Sequence, residues 1–198
     1  MSSSAPHFKA FLLQVQNLSG GPGQQAVFSQ LNFAWPAGLN WVCGDEGSGK
    51  TSLLRILAGD LPALCGTVQT PAGGVFWLDI QSTRHDLLSV QACWDHLQAL
   101  YPLWDRGILE DLAESLDMNR HRNKQLFMLS TGSRRKVMLI AALASGATVT
   151  LLDQPFTALD SPSAQVIKDF LSDAADHPHR AWIVADYETP GHMALAST

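Results

Sequence analysis

Cysteine is scarce in this sequence, and none of its cysteines forms a CxxC pair. The three residues, Cys43, Cys65 and Cys93, are scattered and odd in number, which excludes a regular disulfide framework of the kind found in small secreted proteins. We therefore expect three buried free thiols in a cytosolic protein.

Basic residues are also in the minority. The sequence has 13 Lys and Arg against 18 Asp and Glu, a formal net charge of −5. Proteins that bind nucleic acid usually carry a basic surface, so a nucleic-acid partner is not predicted.

Long apolar segments are lacking as well. The most apolar stretch, residues 137–152, is too short for a membrane span and is interrupted by Ser145 and Gly146. It predicts a buried helix followed by a buried strand. Residues 1–6 lack the charged and apolar regions of a signal peptide. Together these features predict a cytoplasmic protein.

The length and the apolar content indicate one α/β domain. The chain has 198 residues, is 46% hydrophobic, and shows no internal repeat or linker. Helical spacing with charged faces predicts an inserted helical subdomain at about residues 84–130. Around it we predict strands at residues 11–18, 26–33, 39–43, 65–69, 74–78, 149–152 and 182–185, a turn at 19–23, and helices at 51–59, up to about 144, and from 162, where Ser161 would be the cap.

One glycine-rich segment fits the phosphate-binding (Walker A) pattern G-x-x-x-x-G-K-[ST] at every fixed position. A predicted strand precedes it and a predicted helix follows, so the helix N-terminus would face bound phosphates. The side chain of Lys50 would reach the outer phosphates and the Thr51 hydroxyl would ligate Mg²⁺. We predict nucleotide binding by Gly44, Asp45, Glu46, Gly47, Ser48, Gly49, Lys50, Thr51 and Ser52.

A second strand ends in a carboxylate. Residues 149–152 are apolar and Asp153 follows them. In a parallel sheet Asp153 would lie at the same carboxyl edge as the phosphate loop, which is where ligands bind. We therefore expect Asp153 to organise Mg²⁺ together with Thr51.

About 20 residues before Asp153 begins a segment that resembles the signature of the ATP-binding cassette (ABC) family, which is usually written L-S-G-G-Q. It is formed by Leu129, Ser130, Thr131, Gly132 and Ser133. The resemblance extends over nearly the whole chain and implies a P-loop NTPase fold, with a mostly parallel sheet core, an antiparallel strand region and the inserted helices.

Three further family motifs occur along the chain in the order that the family has. Gln81 resembles the Q-loop glutamine, which in the family contacts the metal and the transport partner. Ala158, Leu159 and Asp160 resemble the D-loop, and Tyr187 occupies the position of the switch histidine. The resemblance implies that the signature of one subunit binds the γ-phosphate held by another, so that two cassettes close head-to-tail over two nucleotides.

Two departures from the family concern hydrolysis. Gln154 stands where the family has the glutamate that polarises the attacking water, and an amide cannot accept that proton as a carboxylate does. Either the subunit is naturally slow, or the sequence carries a Glu→Gln substitution that traps the bound state. Tyr187 replaces the switch histidine, and His192 could substitute only if the chain curled back.

Two other departures concern binding. Thr131 and Ser133 replace Gly and Gln of the signature, and the added Cβ of Thr131 crowds a backbone that should approach phosphate. The loop at residues 19–25 has no aromatic residue where the family often stacks adenine, so selectivity for the base is not predicted.

Two shorter segments narrow the resemblance. Residues 101–105 and the basic residues after the signature resemble the corresponding segments of ATPase subunits from bacterial exporters. Residues 28–33 resemble the corresponding segment of the haem-export ATPases of cytochrome c maturation. The sequence predicts an ATP-binding subunit on the cytoplasmic face of the membrane, with ATP and Mg²⁺ as ligands and with a second cassette and a membrane permease as partners. Two alternatives stay open: a slow or non-hydrolytic cassette beside an active partner, and a soluble ABC protein of DNA repair or translation.

Overall fold

The computed structural model describes residues 11–79, 82–191 and 193–198. Two β-sheets and five α-helices make up these parts of the chain. The strands are β1 (Phe11–Gly20), β2 (Phe28–Pro36), β3 (Gly38–Cys43), β4 (Cys65–Gln69), β5 (Val75–Phe76), β6 (Val149–Asp153) and β7 (Ala181–Asp186). The helices are α1 (Lys50–Leu57), α2 (Val90–Leu100), α3 (Arg106–Ser115), α4 (Thr131–Ala144) and α5 (Ser161–Asp173), with short 3₁₀ turns at Asn119–His121 and Leu126–Met128.

The two sheets differ in strand direction. Strands β2, β1 and β4 pair antiparallel in that order, and β3, β7, β6 and β5 pair parallel in that order. Because β3 and β6 are parallel neighbours of β7, the chain leaves all three strands at one edge of the sheet. Cys43 and Asp153 are both in register with the last residues of β7. This arrangement confirms the predicted α/β class with an antiparallel region.

Side chains alternate across the parallel sheet, as its geometry requires. On β7, Ile183 and Ala185 pack with α1 and the antiparallel sheet, whereas Trp182 and Val184 pack with α4 on the opposite face. The sheet is therefore buried on both sides, which fixes the directions in which its strand ends point. None of the helices in the described part of the chain combines the length and apolar character that a membrane-spanning helix needs.

Three local predictions are corrected. Strand β1 runs through Ser19 and Gly20, predicted as a turn, because Gly20 pairs with Phe28. Helix α5 is capped by Asp160, whose side chain accepts from the Ser163 N–H at 2.8 Å, and not by Ser161. Of the three free cysteines, Cys93 alone is buried; Cys43 lies at an exposed strand end and Cys65 on an exposed strand, so those two were predicted wrongly.

Candidate functional site

The predicted phosphate loop connects β3 to α1. Gly49 is the residue that caps α1, with φ 92°, and Gly47 has φ 77°, both in the left-handed region that glycine tolerates. A Cβ at Gly49 would lie 3.1 Å from the Phe28 ring and 3.2 Å from Val27. These glycines let the chain turn tightly and direct the first N–H groups of α1 outward, where they can bind an anion.

Lys50 lies within this loop. Its side-chain nitrogen donates to the carbonyls of Gly44 at 2.5 Å and Asp45 at 2.9 Å, and the residue is only 8% exposed. The same ammonium lies 4.5 Å from the centre of the Tyr187 ring, a cation–π distance. Lys50 therefore places one positive charge within the loop, where it can attract the negative charge of a polyphosphate.

Thr51 and Asp153 are brought together across the sheet edge. The Thr51 hydroxyl donates to Asp153 Oδ2 at 2.6 Å, and Asp153 Oδ1 is buried with no hydrogen-bond partner among the described residues. Burial raises the pKa of the Asp153 carboxyl above its ordinary value, and the Thr51 hydrogen bond and the Arg135 charge partly oppose that rise. A desolvated carboxylate with a free oxygen needs a further positive partner.

These two residues fit Mg²⁺. Its preferred ligands are hard oxygens, and it is usually bound by one or two carboxylates together with substrate phosphates and water. Thr51 and Asp153 supply a hydroxyl and a carboxylate of this kind. In the described ranges, no group of three or more His, Cys, Asp or Glu could hold a metal ion by itself. The predicted third ligand, Gln81, lies outside the described residues.

A cavity of about 280 Å³ opens over the loop. It is bordered by loop residues 46–52, by Gln154 and Tyr187 on one side, and by Pro22 and Val27 on the other. A second cavity of about 260 Å³ is bordered by Thr51, Asp153, Arg135 and Gln154. Thr51 and Gln154 therefore border both cavities.

Gln154 has an unusual backbone conformation. Its φ is 44°, in the left-handed region that few residues other than glycine adopt, and its N–H donates to the Ala185 carbonyl of β7 at 2.8 Å. The side-chain amide lies 3.5 Å from the Tyr187 hydroxyl, at the outer limit of a hydrogen bond. Gln154 and Tyr187, predicted at the catalytic and switch positions, are therefore neighbours; His192 lies outside the described residues.

The predicted signature forms the start of α4. Ser130 caps the helix by accepting from the Ser133 N–H at 3.2 Å, and the first turn of α4 keeps further N–H groups without helical partners. A Cβ on Gly132 would lie 2.6 Å from the Ala158 carbonyl. Gly132 is therefore required for close packing between the signature and the predicted D-loop, a structural reason that the sequence alone did not reveal.

A sequence model of the ABC transporter family matches residues 28–157, well over half of the chain. The chain belongs to the ABC transporter family. It is 34% identical over 175 residues to the cytochrome c biogenesis ATP-binding export protein CcmA of Nitrosococcus oceani, which covers 82% of this chain and 80% of that protein. The CcmA of Paramagnetospirillum magneticum is 32% identical over 200 residues, 91% of each chain.

Solved structures agree on the fold. An ABC transporter ATP-binding protein from Pyrococcus furiosus superposes with a TM-score of 0.73 at 23% identity, covering 94% of this chain and 96% of that one. The chain is therefore the ATP-binding subunit of an ABC transporter, as its motifs predict. Membership in this family implies ATP hydrolysis, and the P-loop NTPase fold predicted from the motifs is confirmed.

Three basic residues that follow the ABC signature make contacts that the sequence analysis missed. Arg134 forms an ion pair with Asp86 at 2.5 Å, Arg135 donates to the Gln154 carbonyl at 2.5 Å, and Lys136 forms an ion pair with Asp160 of the predicted D-loop at 2.9 Å. The Ser163 and Lys136 hydrogen bonds hold the pKa of the Asp160 carboxyl well below its usual range. The run of three basic residues directly after the predicted signature is the sequence feature that could have indicated these contacts.

Contacts among the described residues thus form two groups. Lys50, Thr51, Asp153, Gln154 and Tyr187 make up the first, around the phosphate loop. The second joins the predicted signature to the predicted D-loop through Gly132–Ala158 and Lys136–Asp160. Arg135 connects them, because it belongs to the signature helix and binds Gln154.

Proposed function

We propose that this subunit binds Mg·ATP at the phosphate loop and closes head-to-tail with a second cassette over two nucleotides, driving a separate membrane permease from the cytoplasmic face. The observation that carries the proposal is the position of Thr51, which borders the cavity over the loop together with Lys50 and donates a hydrogen bond to Asp153 at 2.6 Å. A central cation, the N-terminus of α1 and a carboxylate–hydroxyl pair together match a metal-bound triphosphate.

Each residue of this group has a distinct role. Lys50 and the loop amides bind the phosphates, and Lys50 exchanges its bonds to the Gly44 and Asp45 carbonyls for bonds to phosphate oxygens. Thr51, Asp153 and Gln81 would hold Mg²⁺, which when bound neutralises phosphate charge. The signature of the second cassette would supply N–H donors from a helix N-terminus to the γ-phosphate bound here. Leu129–Ser133 of this chain would do the same for the nucleotide of the second cassette.

Hydrolysis in this subunit should be slow. Gln154 occupies the position of the catalytic glutamate, and its amide can hydrogen-bond a water molecule without accepting its proton. General-base assistance is worth about 10²–10⁴-fold in rate, so its loss alone accounts for a large reduction. Tyr187, close to both Lys50 and Gln154, can donate a hydrogen bond to the γ-phosphate but brings no positive charge.

The partner in the membrane would be a permease of the export type. The relatives named as cytochrome c biogenesis export proteins share about one third of their residues with this chain over most of its length. We assign residues 84–130, with α2 and α3, to an inserted helical subdomain that would form the permease groove with the Q-loop around Gln81. The permease, and not this subunit, would select the cargo.

A second function is favoured by Gln154 and Tyr187. Two altered residues side by side at the hydrolytic position suit a cassette that acts as a nucleotide-gated binding module beside an active partner. The same ATP-driven closure would then occur in a heterodimer, with hydrolysis at the partner's site.

Light scattering tests the proposed closure. The purified subunit should double in mass when Mg·ATP is added, either alone or when mixed with a cassette that co-purifies with it. A Lys50→Ala variant should stay monomeric under the same conditions. Unchanged mass of the parent protein with saturating Mg·ATP, alone and with the co-purifying cassette, would contradict the proposal.

A further inference from the structure

Arg135 binds the main chain of the residue at the predicted catalytic position. It belongs to the first turns of α4, directly after the signature, and its guanidinium donates to the Gln154 carbonyl at 2.5 Å. The Thr157 N–H donates to the same carbonyl at 3.2 Å and closes a short turn. The carbonyl of Gln154 is thus held by two donors, one of them charged, and charged donors form the stronger hydrogen bonds.

The backbone of Gln154 needs this support because its conformation is unfavourable. A left-handed φ of 44° is costly for a side chain with a Cβ and persists where neighbouring groups enforce it. Ala185 accepts from the N–H of Gln154 on one side, and Arg135 donates to its carbonyl on the other. The two bonds clamp both peptide groups, and they therefore set the direction in which the side chain of residue 154 points.

We propose that Arg135 is a positioning residue that orients the side chain at position 154 and couples it to the signature helix. A displacement of α4 would then move the Gln154 carbonyl and, with it, the group beside the γ-phosphate. An error of about 1 Å in the position of a reacting group can reduce the rate 10²-fold. This inference rests on the proposed function, because it takes position 154 as the hydrolytic position.

Kinetics in a Gln154→Glu background provide the first test. Adding Arg135→Met should lower kcat at least tenfold while KM for ATP changes less than threefold, because the phosphate loop is untouched. Arg135→Lys, which keeps one charged donor, should recover part of the loss. The matched control is Arg122→Met, which removes a half-buried arginine bound to Gln91 and Glu110, away from Gln154. This control should change kcat less than threefold.

Hydrogen exchange provides a second test that does not depend on hydrolysis. In the parent background, the amides of Gln154, Phe156 and Thr157 should exchange at least tenfold faster in Arg135→Met than in Arg122→Met. Equal exchange in the two variants, or an equal kcat in the Gln154→Glu background, would overturn the proposal. If Gln154→Glu itself fails to raise turnover, the assigned role of position 154 fails, and the exchange experiment alone decides on Arg135.

Discussion

On one side of the predicted nucleotide site, Lys50, Thr51 and Asp153 have the residue types that suit a metal–triphosphate, and Thr51 is hydrogen-bonded to Asp153. On the other side, Gln154 and Tyr187 lie 3.5 Å apart at the positions where the sequence motifs predict a proton acceptor and a histidine. This contrast suggests that nucleotide affinity and the rate of hydrolysis depend on different residues of one site. We expect binding to depend on a cation, helix N–H groups and the hydroxyl–carboxylate pair of Thr51 and Asp153, and these groups are present. We expect water activation to depend on one carboxylate, and Gln154 occupies its predicted position.

Removing the cation of the binding side should have the largest effect. Lys50→Ala deletes the only side-chain cation within the phosphate loop, and charged hydrogen bonds of this kind are worth about 1.5–3 kcal/mol each. We expect the dissociation constant for Mg·ATP to rise about 100-fold or more, as measured by calorimetry.

The control for this prediction is Lys124→Ala, which removes an exposed lysine outside the site. Its affinity should match that of the parent. If Lys50→Ala bound ATP as tightly as the parent, the predicted phosphate loop would not be the site of ATP binding.

Asp153→Asn should separate stability from binding. Burial disfavours the charged form of Asp153 and raises its pKa, so at neutral pH its ionised carboxylate lowers the stability of the nucleotide-free fold. A neutral amide should raise the unfolding free energy by about 1 kcal/mol, a rise of roughly 2–4 °C in melting temperature. The stabilisation produced by added Mg·ATP should shrink, because a metal ligand has been lost.

Differential scanning calorimetry with and without Mg·ATP measures both effects. Asp111→Asn, a change at an exposed position on α3, is the control and should alter neither quantity. A lower melting temperature of Asp153→Asn without nucleotide would contradict this prediction. It would mean that the buried carboxylate stabilises the fold.

The adenine base of ATP should contribute less to affinity than the phosphates and the metal do. Pro22 and Val27 border the cavity over the loop, and Val27 is 43% exposed with no aromatic ring in residues 19–25. Val27→Tyr would offer a stacking surface worth about 1 kcal/mol, so ATP affinity should rise about fivefold.

Two controls distinguish stacking from a change in the loop. Val27→Leu adds volume without a ring and should leave affinity unchanged. Inorganic tripolyphosphate, which has no base, should bind equally to the Val27→Tyr protein and the parent. An equal gain for tripolyphosphate would place the effect in phosphate binding.

The elements of this fold were predictable wherever local sequence decides them. Strand β4 was predicted at its observed bounds, and the buried helix and strand of residues 137–152 correspond to α4 and β6. The end of β1 was missed because Gly20 is held by Phe28, a partner across the sheet that no local pattern indicates. The cap of α5 was predicted one residue too late because Asp160 and Ser161 are both good capping residues, and backbone geometry decides between them.

The site was predictable in its residues but not in its connections. The phosphate loop and Asp153 follow from motifs, and their proximity follows from the rule for parallel sheets. The contact of Gly132 with Ala158 and the bond from Arg135 to Gln154 join segments about 20 residues or more apart through tertiary packing. Their residue types alone, a glycine and an arginine in a helix, have many possible partners.

Position 154 lies where the predicted binding side and the predicted hydrolytic side meet. The decisive measurement is phosphate release at saturating Mg·ATP by the parent and by Gln154→Glu and Gln154→Ala proteins. If the missing carboxylate limits hydrolysis, the Glu variant should turn over ATP at least about tenfold faster than the parent, within the range of general-base catalysis, and the Ala variant should not. An unchanged rate in Gln154→Glu, with ATP affinity retained, would contradict the account: Tyr187 and Thr131 would then have removed the activity independently of residue 154.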